Sequence, residues 1–320
     1  MIIKPRTLHY KLEFLLMLSR RLKPSHPSYS LLQEALTIEL AGWKGEKELD
    51  YPLSHLPNDH LILHNVRLHD GTHYFQNDCI ILTRKWILLI EAKNIAGHLF
   101  YDQTKDQLIR TTETGMKEGF NNPVTQVLRH KRQLQKWLSN NQLPDTLPIH
   151  CLVSNSHPRC VSSFDDPTLN IVTRTYSLPE KIKTLPHNPN SMSSKDLKKL
   201  SSSLVKLDTP LKPDFFEQYN IRESDILPGA YCDHCHSLSI HKKYNRWECA
   251  TCKKVDKEAH VQALKDYVLI HGSLISNAKL RRFLRMSCPK AAHRLMVSLQ
   301  LKTSGETKGR VYHLPFHQKF

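Results

Sequence analysis

The sequence predicts an α/β fold with a small metal-stapled element and a basic helical module behind it. Three observations carry this expectation. Two β-type runs, residues 74–82 and 86–93, are joined by the short polar stretch Thr83-Arg84-Lys85; helical patterns lie on both sides of them; and two Cys-x-x-Cys pairs follow far downstream. A chain of 320 residues can bury a sizeable core and divide into more than one domain.

The first 37 residues read as a helical segment, with an amphipathic helix over residues 9–21. Its run Phe14-Leu15-Leu16-Met17-Leu18 follows Glu13 and is too short for a secretory leader. No stretch approaches the ~18 apolar residues of a membrane span. The expected setting is therefore cytoplasmic, with no membrane partner and with thiols kept reduced. Further on, Leu49, Leu53 and Leu56 recur at helical spacing, and Glu46 falls on the same inward side, although Pro52 is expected to kink or shorten this helix.

The two β-type runs carry the chemistry. A two-residue turn at Arg84-Lys85 sets Asp78 opposite Glu91 and Gln76 opposite Lys93. Residues two apart share a strand face, and opposed Cβ atoms lie roughly 5 Å apart. Two carboxylates so close repel unless a cation sits between them, and a hard cation such as Mg2+ or Mn2+ takes oxygen ligands. Lys93 then stands beside the metal, within reach of a phosphate. The apolar residues of both runs imply strands buried on both faces, so charged residues at their ends call for a reason. Next, Asn122 can cap a helix that starts at Pro123 and runs through Val127, Leu134 and Trp137, with Gln126 one turn in. Residues 150–154 and 169–173 read as two more strands.

Glu46 after Gly45, Gln76-x-Asp78, Glu91-Ala92-Lys93-Asn94, Gly97 and Asn122-Pro123-x-x-Gln126, in this order, resemble the nuclease-related domain (NERD) of the PD-(D/E)xK nuclease-like fold. The resemblance covers about residues 38–155. It implies a restriction-endonuclease-like core, a mixed sheet flanked by helices, within a domain spanning 38–180. It also implies a single metal site with Glu46, Asp78 and Glu91 as acidic ligands, Lys93 as catalytic lysine, Gln126 as supporting glutamine and Gln76 supporting from the strand of Asp78. The substrate it implies is DNA. One departure is Asn77, where an aliphatic residue is usual; it is expected to point away from the site.

Residues 181–230 read as a linker and helical connector: a Pro/Asn/Ser-rich loop, residues 186–194, then a short helix capped by Ser194, broken again at Thr209-Pro210. Cys232-x-x-Cys235 and Cys249-x-x-Cys252, 13 residues apart, read as a structural four-thiolate Zn2+ site within 231–255. Cys79, Cys151, Cys160 and Cys288 follow no such pattern.

The last segment, 256–320, shows a helix, two further helices at helix-turn-helix spacing and a hairpin with a Gly-containing basic tip, which suggests a winged-helix-like module. Lys290 and Arg294 on its third helix, with Lys308 and Arg310 on the tip, are the expected nucleic-acid contacts. Charge points the same way. Net charge is +16, and from Cys232 onward 17 Lys and Arg stand against 6 Asp and Glu. Such a chain is expected to bind a polyanion, most simply DNA. No Gly-x4-Gly-Lys phosphate loop is present, which excludes an ATP-driven helicase of that type. The expected function is a metal-dependent nuclease whose zinc element and basic module hold nucleic acid. A non-catalytic DNA-binding protein on the same scaffold, or an assembly protein with an incidental basic surface, are the alternatives.

Overall fold

Contacts gather the chain into two units that do not follow its covalent order: Met1–Leu8 with Ile38–Leu211, and His9–Thr37 with Lys212–Phe320. The structure, a computed structural model, describes residues 1–165, 170–186, 189, 191–244 and 246–315. In chain order the first half contains β1 (Ile2–Lys4), α1 (Tyr10–Arg21), α2 (Tyr29–Lys47), α3 (Asp50–Leu53), β2 (Leu61–His69), β3 (Tyr74–Leu82), β4 (Ile87–Lys93), β5 (Gly97–Asp102), β6 (Gln107–Thr111) and β7 (Lys117–Asn121). There follow α4 (Pro123–Asn140), β8 (Ile149–Asn155), β9 (Cys160–Phe164), β10 (Val172–Arg174), α5 (Leu178–Lys183), α6 (Ser194–Lys206) and α7 (Phe215–Gln218). The chain closes with β11 (Ala230–Cys232), β12 (Ser237–Lys243), β13 (Arg246–Cys249), α8 (Ala259–His271), β14 (Leu274–Ile275), α9 (Asn277–Leu284), α10 (Pro289–Ser298), β15 (Lys302–Ser304) and β16 (Val311–His313).

The first unit is the expected mixed sheet flanked by helices. Its six strands run β1-β2-β3-β4-β8-β10. The pairs β2/β3 and β3/β4 are antiparallel, and the other three are parallel. One face packs Ile80, Leu82, Ile87 and Leu89 against Val124, Val127, Leu134 and Trp137 of α4 and Leu197, Leu200 and Leu204 of α6. The other packs Cys79, Ile81, Leu88 and Ile90 against Leu49 just before α3, Leu53 of α3, and Leu178 and Ile182 of α5. Both strands of the hairpin are thus buried on both faces, as their composition requires.

The sequence pattern assigns α6 to a connector and its cap to Ser194. In the fold its apolar stripe completes the core, and the cap is Ser193, whose hydroxyl accepts from the Asp196 amide. The Lys4–Asp208 ion pair (2.7 Å) fastens the end of this helix region to the sheet. Of the loop over 186–194, His187, Asn188 and Asn190 lie outside the described residues, as does Leu169 of the strand expected there.

A second, four-stranded sheet, β7-β6-β5-β9, was not foreseen in the sequence. It begins at Gly97, whose φ of +97° suits glycine and where an added Cβ would sit 2.6 Å from the Thr111 carbonyl oxygen.

The second unit joins the N-terminal helix to the C-terminal third. A buried charge cluster holds them. Arg21 Nε donates to Asp266 Oδ2 (2.8 Å), and its Nη1 donates to the carbonyls of Leu227 and Gly229. Arg20 reaches Asp266 Oδ1 at 2.6 Å, and the Gln262 amide reaches the same oxygen at 3.0 Å. Arg21 and Asp266 are fully buried. Asp266→Ala leaves the guanidinium buried without its counter-charge and is expected to cost about 3–5 kcal/mol in urea or thermal unfolding. The pair Arg21→Met/Asp266→Leu should recover most of that loss; equal destabilisation by both variants would show that packing, not charge, is at stake.

Within this unit β11-β12-β13 form an antiparallel three-stranded sheet that carries the four cysteines. Behind it stand α8, β14, α9, α10, β15 and β16, with a sheet ordered β14-β16-β15. Helix, strand, two helices and a two-stranded wing, with the first strand against the last, is winged-helix connectivity. The strand β14 was not visible in the sequence, being two residues long.

Candidate active site

The expected register of the hairpin holds at its turn end: Leu82 pairs with Ile87, and the ladder continues to Cys79 with Ile90. Beyond that pair it stops. Asp78 does not complete a backbone pair with Glu91; its Oδ2 accepts the Ala92 N–H at 2.8 Å.

The cause lies in β2. Leu63 and Val66, three apart, face the same core, as do Phe75 and Ile80, five apart. Side-chain alternation therefore resets on both strands, although the register Leu63–Ile80 and Val66–Asn77 is unbroken. The reset falls at Asn65, which adopts φ 51°, and at Asp78 across from it. Asn is among the few side chains that tolerate this left-handed conformation. Released from the ladder, Asp78 turns its carboxylate toward the end of β4.

Strand alternation sends Glu91 and Lys93 to the α4 side of β4. Lys93 Nζ lies 2.8 Å from Glu91 Oε1 and 3.5 Å from Gln126 Oε1. Gln126 is presented by a helix start built as expected: Asn122 Oδ1 accepts the Val124 N–H at 3.0 Å, with proline in the first turn. One turn further, His130 is buried and held neutral, its pKa pushed down to about 4 by burial and by Arg129 and Lys93.

Glu46 arrives from the last turn of α2. Its sequence spacing puts it on one helix with Leu49, but the chain breaks after Lys47 and restarts as α3, which contains Pro52. Gly45 explains its approach. A Cβ there would stand 2.6 Å from Asn94 Cβ, so only glycine lets α2 lie directly on the end of β4. The Asn94 amide fixes the contact by donating to the Ala41 carbonyl at 3.0 Å.

Gln76 is the expected site residue that the fold does not bring in. It is exposed and pairs with Arg67 of β2, because the β3/β4 ladder ends before it could meet Lys93. Asn77, expected to point away from the site, is buried and pairs with Val66 of the core on the α4 side, the side to which Glu91 and Lys93 turn; its Nδ2 has no hydrogen-bond partner among the described residues.

Sequence reasoning missed Arg6. Its Nη1 binds Glu46 Oε2 at 2.9 Å, its Nε binds Asp50 Oδ1 at 3.1 Å, and its Nη2 meets His64 Nδ1 at 2.7 Å. It lies 40 residues before Glu46, and no local pattern marks it. His64 is buried beside it, its pKa pushed down to about 3 by burial and the charges of Arg6 and Lys4.

The electrostatics form one coupled set. Burial, then the charge of Asp78, raises Glu46 to about 7 against the pull of Arg6. Burial, then Asp78, raises Glu91 to about 8 against the pull of Lys93. Asp78 is also raised, chiefly by burial, with the Ala92 N–H opposing. Burial works against the charge on Lys93, but Glu91, Asp78 and Glu46 outweigh it and raise its pKa. These carboxylates are near enough to repel, yet among the described residues only the four cysteines gather ligand atoms within 4.8 Å of one another.

That second centre is compact. Cys232 and Cys252 Sγ lie 3.7 Å apart, and Cys235 and Cys249 Sγ 3.5 Å apart. Four thiols at this spacing could hold a metal ion, and zinc is the ion that four thiolates suit.

At the far end of the chain Lys290 and Arg294 are exposed on α10, and Arg310 is exposed beside the wing; the side chain of Lys308 lies outside the described residues. No helix among the described residues is long and apolar enough to cross a membrane.

A six-stranded mixed sheet flanked by helices, with carboxylates, a lysine and a glutamine at one end, is consistent with a nuclease-like α/β core. Residues 41–155 match the family model of the nuclease-related domain, a segment that contains every one of these site residues except Arg6. The chain thus carries a nuclease-related domain, together with a four-cysteine cluster outside it. No curated protein and no solved structure matches the chain.

Proposed function

We propose that this protein is a metal-dependent nuclease that hydrolyses DNA phosphodiester bonds, with its zinc element and basic C-terminal unit holding the nucleic acid. The observation that carries this reading is the meeting of Asp78, Glu91 and Lys93 with Glu46 and Gln126 at the end of β4, inside the nuclease-related segment.

The donor set fits Mg2+ or Mn2+. It offers carboxylate oxygens, and their mutual repulsion is what a divalent cation relieves. Asp78 and Glu91 would hold the ion, with Glu46 and the Ala92 carbonyl completing the protein ligands. When bound, the ion supplies a water of lowered pKa and positive charge at the phosphate. Lys93 keeps its proton and offers an ammonium to charge developing on the phosphate oxygens. Gln126 and Glu91 hold that ammonium in place, the Ala92 N–H orients Asp78, and Arg6 aims Glu46. Cys232, Cys235, Cys249 and Cys252 would hold a structural Zn2+, leaving no open position for catalysis.

Protonation sets a pH dependence. Glu46 and Glu91 keep protons in the fold up to about 7 and about 8, against an ordinary 4.5. Between these values the folded protein binds more protons than the unfolded chain, so without metal its stability falls as pH rises through that window. A cation must displace the same protons. Its affinity is therefore expected to rise roughly tenfold per pH unit for each proton displaced, and to level off above about pH 8. Isothermal titration with Mn2+ across this range checks it; a flat profile would mean that these carboxylates are not the ligands.

The reading as a whole is tested by DNA cleavage with Mg2+ or Mn2+, with and without chelator. A second reading, a non-catalytic DNA-binding protein on a nuclease-like scaffold, is favoured by the winged-helix connectivity and the exposed Lys290, Arg294 and Arg310. Folded, zinc-loaded protein that binds DNA but never cuts it supports that reading. In either case Lys290→Glu with Arg294→Glu should weaken DNA binding at fixed salt, and unchanged affinity would remove α10 from the interface.

A further inference from the structure

Where α9 turns into α10, the second unit has an open groove of about 440 Å³ lined by Ala278, Arg281, Arg282, Arg285, Met286 and Ser287. Three of these six residues are arginines, and among the described residues none of the three is ion-paired with a carboxylate. Met286 is buried beneath them, while Arg282 and Arg285 are exposed.

Arg281 is held in place. Its Nε donates to Asn277 Oδ1 (3.1 Å) and its Nη1 to the Ser287 carbonyl (3.4 Å), while the Asn277 amide donates to the Pro289 carbonyl (3.1 Å). Two of its five N–H donors are thereby used, and the rest of the fork stays available.

Arg285 is informative for a different reason. It caps α9 in the left-handed conformation at φ 52°, a position where glycine is the usual residue because a Cβ is disfavoured there. Its charge also acts on the buried Arg21 of the same unit, a repulsion that works against folding. The backbone does not call for an arginine at this cap, and its Nε, which lies 3.7 Å from where a Cβ on Gly229 would stand, has no carboxylate partner among the described residues. A ligand of opposite charge calls for one.

We infer that this groove clamps a phosphodiester group of a nucleic-acid strand, a contact separate from Lys290 and Arg294. The chemistry is specific: guanidinium forks match phosphate oxygens in pairs, and the Ser287 hydroxyl adds a donor. The groove is open and leads directly to α10, so it admits a chain rather than only a small ion. The inference rests on the reading of this unit as a nucleic-acid binder.

The test uses the whole protein and a fluorescent DNA duplex at several salt concentrations. Arg282→Gln with Arg285→Gly is the variant. The glycine suits the cap, so the thermal transition should hold or rise. Affinity is expected to fall about tenfold or more near 0.1 M salt, and the log–log salt slope to drop by about 0.9 for each phosphate no longer neutralised. Unchanged affinity and slope, while Lys290→Glu/Arg294→Glu loses binding, would overturn the groove and leave the nucleic-acid reading intact. Loss of binding to inorganic phosphate alone, with DNA binding unchanged, overturns it too and marks a small-anion site. A wild-type protein with no salt-dependent DNA binding defeats both readings.

Discussion

Replacing Glu91 or Lys93 with alanine is expected to lower metal-dependent DNA cleavage by about a thousandfold or more, the scale on which single groups that stabilise transition-state charge act. The two variants should part company in binding. Glu91→Ala removes a buried carboxylate ligand and should weaken Mn2+ binding as well as the chemistry. Lys93→Ala removes a cation that competes with the metal for the same carboxylates, so Mn2+ should bind as well or better while cleavage disappears. Lys93→Arg should not restore the rate, because a planar fork cannot take the place of a compact ammonium 2.8 Å from Glu91. Arg6→Ala offers a graded control. Arg6 holds the Glu46 pKa down, so without it that pKa rises further, and the onset of both metal binding and cleavage should move to higher pH. Full cleavage in both the Glu91 and Lys93 variants would place the active site elsewhere.

Loss of zinc is expected to have the largest effect on folding. Cys232 and Cys249 are buried in one cluster with Trp247, Leu264, Leu284, Leu295 and Tyr312, so the four-cysteine sheet and the helices and strands that follow it share a core. Structural zinc contributes on the order of 10–16 kcal/mol in small isolated domains. Cys249→Ser, or a strong chelator, should therefore unfold the C-terminal unit as a whole rather than fray a ribbon. The buried Trp247 ring lies beside Cys249 in that core and reports the event as a red shift in fluorescence. Metal analysis should find one zinc per folded chain. A variant that keeps the wild-type melting transition, in a protein that contains no zinc, would assign the cysteines another role.

Much of the first unit is legible in the chain because its signals are local. The Arg84-Lys85 turn fixes a register that the strands follow to Cys79 and Ile90, and Asn122-Pro123 states where α4 begins. The four cysteines are legible for the same reason. What escapes is non-local. Nothing near Arg6 says that it will meet Glu46 and His64. Nothing in the alternation of residues 61–69 announces that Asn65 will reset it and free Asp78 from its ladder. The strands β5 to β7 escaped because their burial alternates only in part, with exposed Phe120 and Met116 among polar neighbours. The partner of the N-terminal helix escaped because it lies more than 200 residues away.

That last pairing bears on how the protein is made. Arg21 and Asp266 are 245 positions apart. At about 5–20 residues per second, a ribosome takes roughly 12–50 s to deliver the aspartate after the arginine has emerged. Within that interval the nuclease-like sheet can be completed, but Leu12, Phe14, Leu15, Met17 and Leu18 of α1 have no finished partner to cover them. Helix α1 is thus an apolar surface that waits for its cover through most of the synthesis of its own unit, a natural target for holding chaperones and a place where aggregation during expression should begin.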